Sequence, residues 1–417
     1  MLKHITGTFF TRVVVSVVNF AIIIITAQLM GAEARGTISL AMLAIAIAGL
    51  INEIIGGPAV VFLVPRYNNH HIIKYAYLWA LAVGFLCSFL LGVFHFYDFS
   101  LFPYVCAGSL LLCLGAIHQF ILLGHQKIGS FNQIALLQGC LLFVVFLGFI
   151  TFEQKQLEVY FYALLLAYVG AFIVGRIKIS ALLSSAMSPL PSIDFKTLFS
   201  NGIYTQLASI AHLMSSRITF YYSGYFLSIA FVGVLSTAVS ITEAAMLFSS
   251  SVALITASKV ANETNQRKAA DTTIQLIKLS MLMSACILFI LGVFPESFMA
   301  FVFGKDFKDL KLMILTLIPG GLAGSVSQII SHYYTGRGRF KVNTTAGFIS
   351  LGFSLAAGVA YVVTKSPLLP GFIISGSAVV AMIYFVRLFL KEQQLKLAAL
   401  MPNKNDMYAL LSKINAQ

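Results

Sequence analysis

The chain has 417 residues, of which 59% are hydrophobic and only 10% are charged. Soluble domains carry about 25% charged residues, so this composition excludes an ordinary soluble protein. The 27 Lys and Arg outnumber the 14 Asp and Glu and give a formal net charge of +13, which suits either nucleic acid or an anionic membrane surface as a partner.

Apolar blocks of about twenty residues, separated by short polar breaks, follow one another along the chain, and a helix needs this length to cross roughly 30 Å of hydrocarbon. The pattern predicts an all-α, polytopic membrane protein with about twelve transmembrane helices and excludes a barrel. The first block is too long for a signal sequence and lacks a small-residue cleavage site, so we expect it to remain as the first span. The predicted spans are 7–30, 38–64, 75–97, 101–124, 133–152, 159–179, 201–223, 231–256, 273–293, 310–334, 342–363 and 370–390.

The distribution of Lys and Arg predicts the orientation of these spans. With a cytosolic amino terminus, about twenty cations fall on the cytosolic side and about six on the other, as the positive-inside rule requires. Both termini are therefore predicted to be cytosolic, with Lys155 and Lys365 periplasmic and Arg337 cytosolic. The bias accounts for most of the net charge without nucleic acid, although the Arg-Gly spacing of HYYTGRGRF (332–340) is also found in RNA-binding loops.

Similar segments at corresponding places suggest two halves. HQFILLGHQKIGSFN (118–132) after the fourth span resembles SHYYTGRGRFKVN (331–343) after the tenth, and RGTISLAM (35–42) resembles VGVLSTAV (232–239). We therefore predict an N-terminal six-helix half at 1–190, a C-terminal six-helix half at 191–390, a central cavity between them, and a cytosolic amphipathic tail at 391–417.

Three ionisable residues inside predicted spans are candidates for function, because a charge costs several kcal/mol at the bilayer centre. Arg217 lies in the seventh span, Glu53 in the second and Glu243 in the eighth. One interpretation is a cavity lined by a fixed cation with carboxylates that bind and release protons; the other is a buried ion pair that only holds helices together. Asn52 and His212 are the predicted polar neighbours in the cavity.

Two proline sites predict breaks or hinges: GGP ending at Pro58 in the second span, and PGG starting at Pro319 in the tenth. Proline removes a helical hydrogen bond, and adjacent glycines allow bending, so each site could be a hinge or a static kink. The five cysteines lie inside apolar blocks, without a CxxC motif or histidines at ligand spacing, so no metal site, disulfide or other cofactor is predicted.

The run FPESFMAFVFGKDFKDLKLMILTLIPGGLAGSVSQIISHYYTGRGRFKVN (294–343) resembles the carboxy-terminal half of the polysaccharide-exporter branch of the MOP (MATE-like) transporter superfamily. GAEARGTISLAM (31–42) is similar to the first loop of that branch, and SSRITFYYSGYF (215–226) to its intramembrane arginine site. The resemblance implies a Wzx-type O-antigen flippase of the bacterial inner membrane, with Arg217 as the charged cavity residue. Ile218 and Thr219 follow Arg217 where family members often have an aspartate.

The resemblance also implies the partners: an undecaprenyl-pyrophosphate-linked oligosaccharide, membrane lipids, a coupling ion (H⁺ or Na⁺) and a polysaccharide polymerase complex. The chain has no GxxxxGK[ST] phosphate loop, so transport must draw on an ion gradient or on the gradient of the substrate itself. For an ion gradient, Glu53 and Glu243 are the predicted coupling residues, with Glu243 favoured for a proton. The alternatives are a MATE-like multidrug exporter, whose cavity should be acidic and aromatic, and a membrane polysaccharide polymerase or ligase, which needs a large periplasmic loop. We therefore expect this protein to be a transporter and not an enzyme.

Overall fold

The computed structural model describes residues 2–64, 66–152, 157–183, 191–263 and 265–401, and it contains helices and no strand in these ranges. The predicted all-α, polytopic fold class is confirmed. Nine helices in this part of the chain are long and apolar enough to cross a membrane, and a bent pair makes a tenth. The number of spans in the described residues rises from ten to twelve when the first long helix is counted as two, divided at its break at Gly31, and when the 32-residue seventh helix is added.

The described ranges form fourteen α-helices. Their bounds are α1 Leu2–Gly56, α2 Pro58–Leu63, α3 Asn69–Val93, α4 Phe102–Gly124, α5 Ile128–Phe152, α6 Leu157–Leu183, α7 Phe195–Phe226, α8 Ile229–Ala245, α9 Leu247–Asn262, α10 Gln266–Val293, α11 Glu296–Phe303, α12 Leu310–Gly336, α13 Phe340–Thr364 and α14 Leu369–Gln393. Single 3₁₀ turns lie at Phe99–Leu101, Lys305–Phe307 and Leu397–Leu400.

The first two spans meet at a single residue. Gly31 has φ 80° and ψ −179°, a conformation that glycine adopts without steric cost, and both flanking segments are helical. Asp306 Oδ2 lies 3.5 Å from the amide nitrogen of Ala32, the first residue after the break. The expected polar loop at 31–37 is therefore wrong: its charged residues belong to the first turns of the second helical segment.

The eighth span differs from the uninterrupted helix that was expected. α8 and α9 are bent by 47° at Met246. Neither proline nor glycine marks this position in the sequence, so the periodicity of apolar residues could not reveal the bend.

The chain folds into two compact units. Unit one comprises Met1–Ile210, Phe220–Ser236 and Ala300–Phe307, and unit two comprises Ala211–Thr219, Thr237–Met299 and Lys308–Gln417. Unit one thus takes in the predicted N-terminal half together with three segments of the predicted C-terminal half. The chain passes between the units within α7.

Each unit has its own apolar core. In unit one, side chains from α1, α3, α4 and α6 bury Ile55, Ile72 and Ile117 completely. In unit two, α9, α10, α12 and α14 bury Ile329, Tyr334 and Phe389, and Leu400 from the last 3₁₀ turn joins this core. Part of the predicted tail is therefore packed against unit two, whereas residues 402–417 lie outside the described ranges.

Candidate functional site

An ion pair between α7 and α8 occupies unit two. Arg217 Nη2 lies 2.6 Å from Glu243 Oε1, and the exposed fractions of the two side chains are 17% and 53%. The predicted cation and one of the two predicted carboxylates are therefore partners, which the sequence left open. The carboxylate is half exposed, so the pair is not sealed inside the protein.

His212 lies on α7 before Arg217, is exposed, and interacts electrostatically with both members of the pair. Between His212 and Arg217, α7 forms a hydrogen bond with α13 that the sequence did not suggest. The Ser354 hydroxyl on α13 donates a 2.6 Å hydrogen bond to the Ser215 carbonyl, and both residues are buried. Serines are common in membrane helices as packing residues, so no signal in the sequence distinguished this pair.

Glu53 and Asn52 belong to unit one and face different neighbours. The Gln206 side-chain amide donates a 3.0 Å hydrogen bond from Nε2 to Glu53 Oε2. Asn52 is fully buried and donates from Nδ2 to the Cys113 carbonyl at 3.1 Å, so its contact is a packing contact with α4. The predicted roles of Glu53 in coupling and of Asn52 in a cavity stay predictions.

Gln206 is a functional candidate that the sequence analysis does not include. A polar amide within a predicted apolar span was the available signal, since buried polar groups in a membrane need partners. Its position on α7 places the amide beside Glu53, although 153 residues separate them along the chain.

The two proline sites differ. At the first, the helix ends at Gly56, Gly57 is non-helical with φ −112° and ψ −142°, and Pro58 opens the short helix α2. At the second, α12 continues through Pro319. Whether either position moves as a hinge stays a prediction.

A hydroxyl group from α14 forms hydrogen bonds with the backbone of α12 beside Pro319. The Gly320 amide donates to Ser375 Oγ at 3.1 Å, and that hydroxyl donates to the Thr316 carbonyl at 2.6 Å. Ser375 thus bridges a donor and an acceptor four residues apart, the pair that would bond directly in an undistorted helix. The Ser375 hydroxyl thus satisfies these two backbone groups.

In chemical terms, unit two presents a guanidinium group held by a half-exposed carboxylate, with an exposed imidazole nearby. Such a cation can bind a phosphate or carboxylate through two parallel hydrogen bonds when its carboxylate partner releases it. Among the described residues, no cluster of three or more His, Cys, Asp or Glu could hold a metal ion.

The fold is shared with solved transporters of the MOP superfamily. An inward-facing multidrug resistance transporter of the MATE family matches with a TM-score of 0.69 and 16% identity, over 91% of this chain and 95% of that one. The lipid II flippase MurJ, in an inward closed conformation, matches with a TM-score of 0.69 and 14% identity, over 94% of this chain and 90% of that one.

A MOP superfamily transporter from Pyrococcus furiosus, described as having a binding pocket of reverse polarity, matches with a TM-score of 0.63 and 14% identity, over 94% of each chain. No family model matches the sequence, and no curated protein matches it. At these identities the likeness establishes the fold alone.

Proposed function

We propose that the protein is a flippase of the bacterial inner membrane that moves undecaprenyl-pyrophosphate-linked oligosaccharides, the repeat units of the O-antigen of lipopolysaccharide, from the cytosolic to the periplasmic leaflet. The likeness to transporters, one of which flips a lipid-linked substrate, supports transport as the function. Alternating access around the two predicted halves is the mechanism that this fold favours. The resemblance of 294–343 to polysaccharide exporters supports the O-antigen substrate.

The observation that carries the proposal is the half-exposed ion pair of Arg217 and Glu243. A lone arginine at this depth would be costly, and a sealed pair would be purely structural. A pair with one open side keeps the cation ionised and in place, yet allows an anionic head group to replace the carboxylate. The pyrophosphate of a lipid-linked sugar is dianionic and presents the oxygens that a planar guanidinium binds in pairs.

The remaining partners follow from this proposal. A coupling ion, H⁺ or Na⁺, supplies the free energy, since the chain has no nucleotide-binding loop. Membrane lipids surround the spans, and a polysaccharide polymerase complex would receive the flipped unit. The protein carries out no covalent chemistry, requires no cofactor, binds no nucleic acid, and has both termini in the cytosol.

The proposal is tested by deleting the gene and complementing the strain with variants. In the deletion strain we expect lipid-linked repeat units to accumulate in the cytosolic leaflet, as measured by their resistance to a glycan-modifying reagent added from the periplasmic side. Arg217→Ala should fail to relieve this accumulation although the protein reaches the membrane at normal abundance, and Arg217→Lys should relieve it partly, because a point charge replaces a bidentate donor.

Arg339→Ala is the matched control, because Arg339 forms a separate ion pair of 2.7 Å with Glu392 in unit two. We expect this variant to complement fully. Complementation by Arg217→Ala would contradict the proposed site, and a deletion strain with no accumulated lipid-linked glycan would contradict the proposed substrate. Loss of the Arg217→Ala protein from the membrane would favour the purely structural ion pair.

A multidrug exporter is the second candidate, and one observation favours it. Glu243 is the more exposed member of the pair, and an open carboxylate would bind an organic cation. If this is the function, the deletion strain becomes more sensitive to cationic dyes and antibiotics, and Glu243→Gln fails to restore resistance. Unchanged sensitivity together with accumulated lipid-linked glycan would exclude it.

A further inference from the structure

The Gly-Arg-Gly-Arg turn between α12 and α13 is a basic motif that the proposed function does not use. The backbone fixes both of its arginines, since the amides of Arg337 and Arg339 donate to the carbonyls of Tyr333 and Tyr334 at 3.1 and 2.9 Å. Gly338 has a φ of 71°, in the left-handed region that favours glycine, so the chain turns sharply between them. The two arginines therefore lie at defined positions at the end of a membrane-spanning helix.

Both guanidinium groups lie over tyrosine rings of α12. Arg337 Cζ is 5.9 Å from the centre of the Tyr333 ring, and Arg339 Cζ is 5.1 Å from the centre of the Tyr334 ring. The two rings are buried, and their centres are 5.3 Å apart. A cation over an aromatic face is attracted to it electrostatically, so the rings hold both charges close to the end of the helix.

Among the described residues, only one of these two charges has a carboxylate partner. Arg339 Nη1 lies 2.7 Å from Glu392 Oε2, whereas Arg337 forms no ion pair in the same part of the chain. The Nε and Nη2 atoms of Arg337 are buried and have no hydrogen-bond acceptor. Buried donors of this kind are costly to leave unmatched. The two atoms form one edge of the planar group, and their N–H groups point the same way, which suits two oxygens of one phosphate or carboxylate.

An exposed apolar face begins three residues after Arg337. Along α13, large apolar side chains are exposed at Phe340, Phe348, Leu355 and Val359. At 3.6 residues per turn, these spacings place the four side chains on one side of the helix. A basic group at the end of such a face suits an amphiphile that has an anionic head and an apolar chain.

The Arg-Gly spacing of this turn is also found in RNA-binding loops, but the structure does not favour RNA. Proteins bind single-stranded RNA by stacking its bases on accessible aromatic side chains and by placing several cations along its backbone. Here the rings of Tyr333 and Tyr334 are buried, and the charge of Arg339 is paired with Glu392. One guanidinium group without a carboxylate partner suits a single phosphate better than a polyanion.

We propose that Arg337 binds the phosphate of an anionic phospholipid headgroup, on the side of the membrane that the charge bias predicts to be cytosolic. Nε and Nη2 donate to two phosphate oxygens, and an acyl chain lies along the exposed face of α13. The Arg337 side chain turns about its own bonds to present this buried edge, while the backbone of the turn stays in place. The exposed Lys341 adds electrostatic attraction. The inference does not depend on the flippase function.

The test titrates the purified full-length protein in detergent with phosphatidylglycerol, and in parallel with phosphatidylcholine, and counts bound lipids by native mass spectrometry. Phosphatidylglycerol has a net negative charge, whereas choline cancels the charge of the phosphate. We expect the wild type to have a saturable site that prefers phosphatidylglycerol. Arg337→Ala should raise the Kd of this site by about tenfold, because a charged, two-pronged contact is lost. Arg337→Lys should weaken binding partly, because it keeps the charge and loses the planar edge.

Arg387→Ala is the matched control and should keep the wild-type Kd. Arg387 is an exposed arginine of α14 in unit two, so this variant removes the same charge without touching the turn. Equal weakening by Arg387→Ala and Arg337→Ala would show a general attraction to anionic lipid and would overturn the proposed site. Equal affinity of the wild type for the two lipids would also overturn it.

Two further measurements keep the proposal decidable. If Arg337→Ala does not fold, Arg337→Lys takes its place, and a Kd for phosphatidylglycerol that this variant leaves unchanged would contradict the two-pronged contact. A short oligouridine is added to the wild type and to the Arg337 variants. An RNA that displaces phosphatidylglycerol from the wild type and binds the variants more weakly would show an RNA site in place of the lipid site.

Discussion

Arg217 donates from Nη2 to Glu243 Oε1 at 2.6 Å. In the proposed function, competition between this carboxylate and the substrate phosphate would decide how available the cation is. Hydrogen bonds between two charged groups are roughly twice as strong as neutral ones, so neutralising Glu243 weakens the competitor more than it disturbs the geometry.

Glu243→Gln should therefore bind a lipid-linked pyrophosphate at least as tightly as the wild type, whereas Arg217→Ala should lose that binding. The measurement is equilibrium binding of the substrate to purified protein in detergent. Weakened binding in Glu243→Gln, to the level of Arg217→Ala, would show that the carboxylate is needed to position the arginine and does not compete with the substrate.

The contact between α7 and the end of α1 depends on one glycine. A methyl group at Gly202 would overlap the Ile54 carbonyl oxygen, so the two helices would have to separate. We expect Gly202→Ala to lower the stability of the folded protein by about 1–3 kcal/mol, the usual cost of overpacking, although alanine favours helix. Gly352→Ala on α13 is the control, because no atom lies within 4 Å of the added methyl group there.

Melting midpoints of the two variants in detergent provide the measurement. The control should match or exceed the wild type, and Gly202→Ala should fall below it. Equal midpoints for both variants would mean that α7 moves away from α1 at little cost.

A second close crossing joins α1 to the start of α8 within unit one. Added Cβ atoms at Gly36 and Gly233 would overlap the carbonyls of Ile229 and Ala32, and the hydroxyls of Ser39 and Ser236 are 2.7 Å apart. Small residues let membrane helices approach in this manner. The α8 segment belongs to the predicted C-terminal half but folds within unit one together with α1. Alternating access between the predicted halves would require this crossing to open, whereas movement of the observed units would leave it closed.

Ser39→Cys combined with Ser236→Cys, in a background without other cysteines, should form a disulfide under mild oxidation and stop flipping until a reductant is added. Neighbouring side chains at this distance are compatible with disulfide geometry. Flipping is followed by the accumulation assay, and each single cysteine variant serves as the control. Continued flipping by fully cross-linked protein would show that the crossing stays closed throughout the cycle.

The orientation of the whole molecule is a prediction of the charge bias. Single cysteines at positions 155 and 365 should react with a membrane-impermeant maleimide added to spheroplasts, whereas a cysteine at 337 should react only after permeabilisation. Position 155 lies outside the described residues, so 365 is the site whose place is known: it follows the last residue of α13. Labelling of 337 in intact spheroplasts would invert the proposed topology.

The sequence alone determined the class of protein, the approximate number of spans and the Arg217 candidate. These properties depend on quantities that are local in the chain: block length matched to bilayer thickness, and the cost of a charge in hydrocarbon. The predicted span ends agree with the helix ends where a polar loop separates two helices. For α12, the predicted span is 310–334 and the helix is Leu310–Gly336. At 31–37 the same argument failed, because a glycine break needs no loop.

Tertiary structure decided the pairings. Arg217 pairs with Glu243, which is 26 residues away along the chain, and Gln206 bonds to Glu53, which is 153 residues away. Which of two carboxylates meets the arginine depends on the rotation of each helix about its axis and on how closely glycines let helices approach. The bend at Met246 depends likewise on neighbouring helices, because a packed partner determines which backbone distortions are tolerated. No periodicity within one span carries that information.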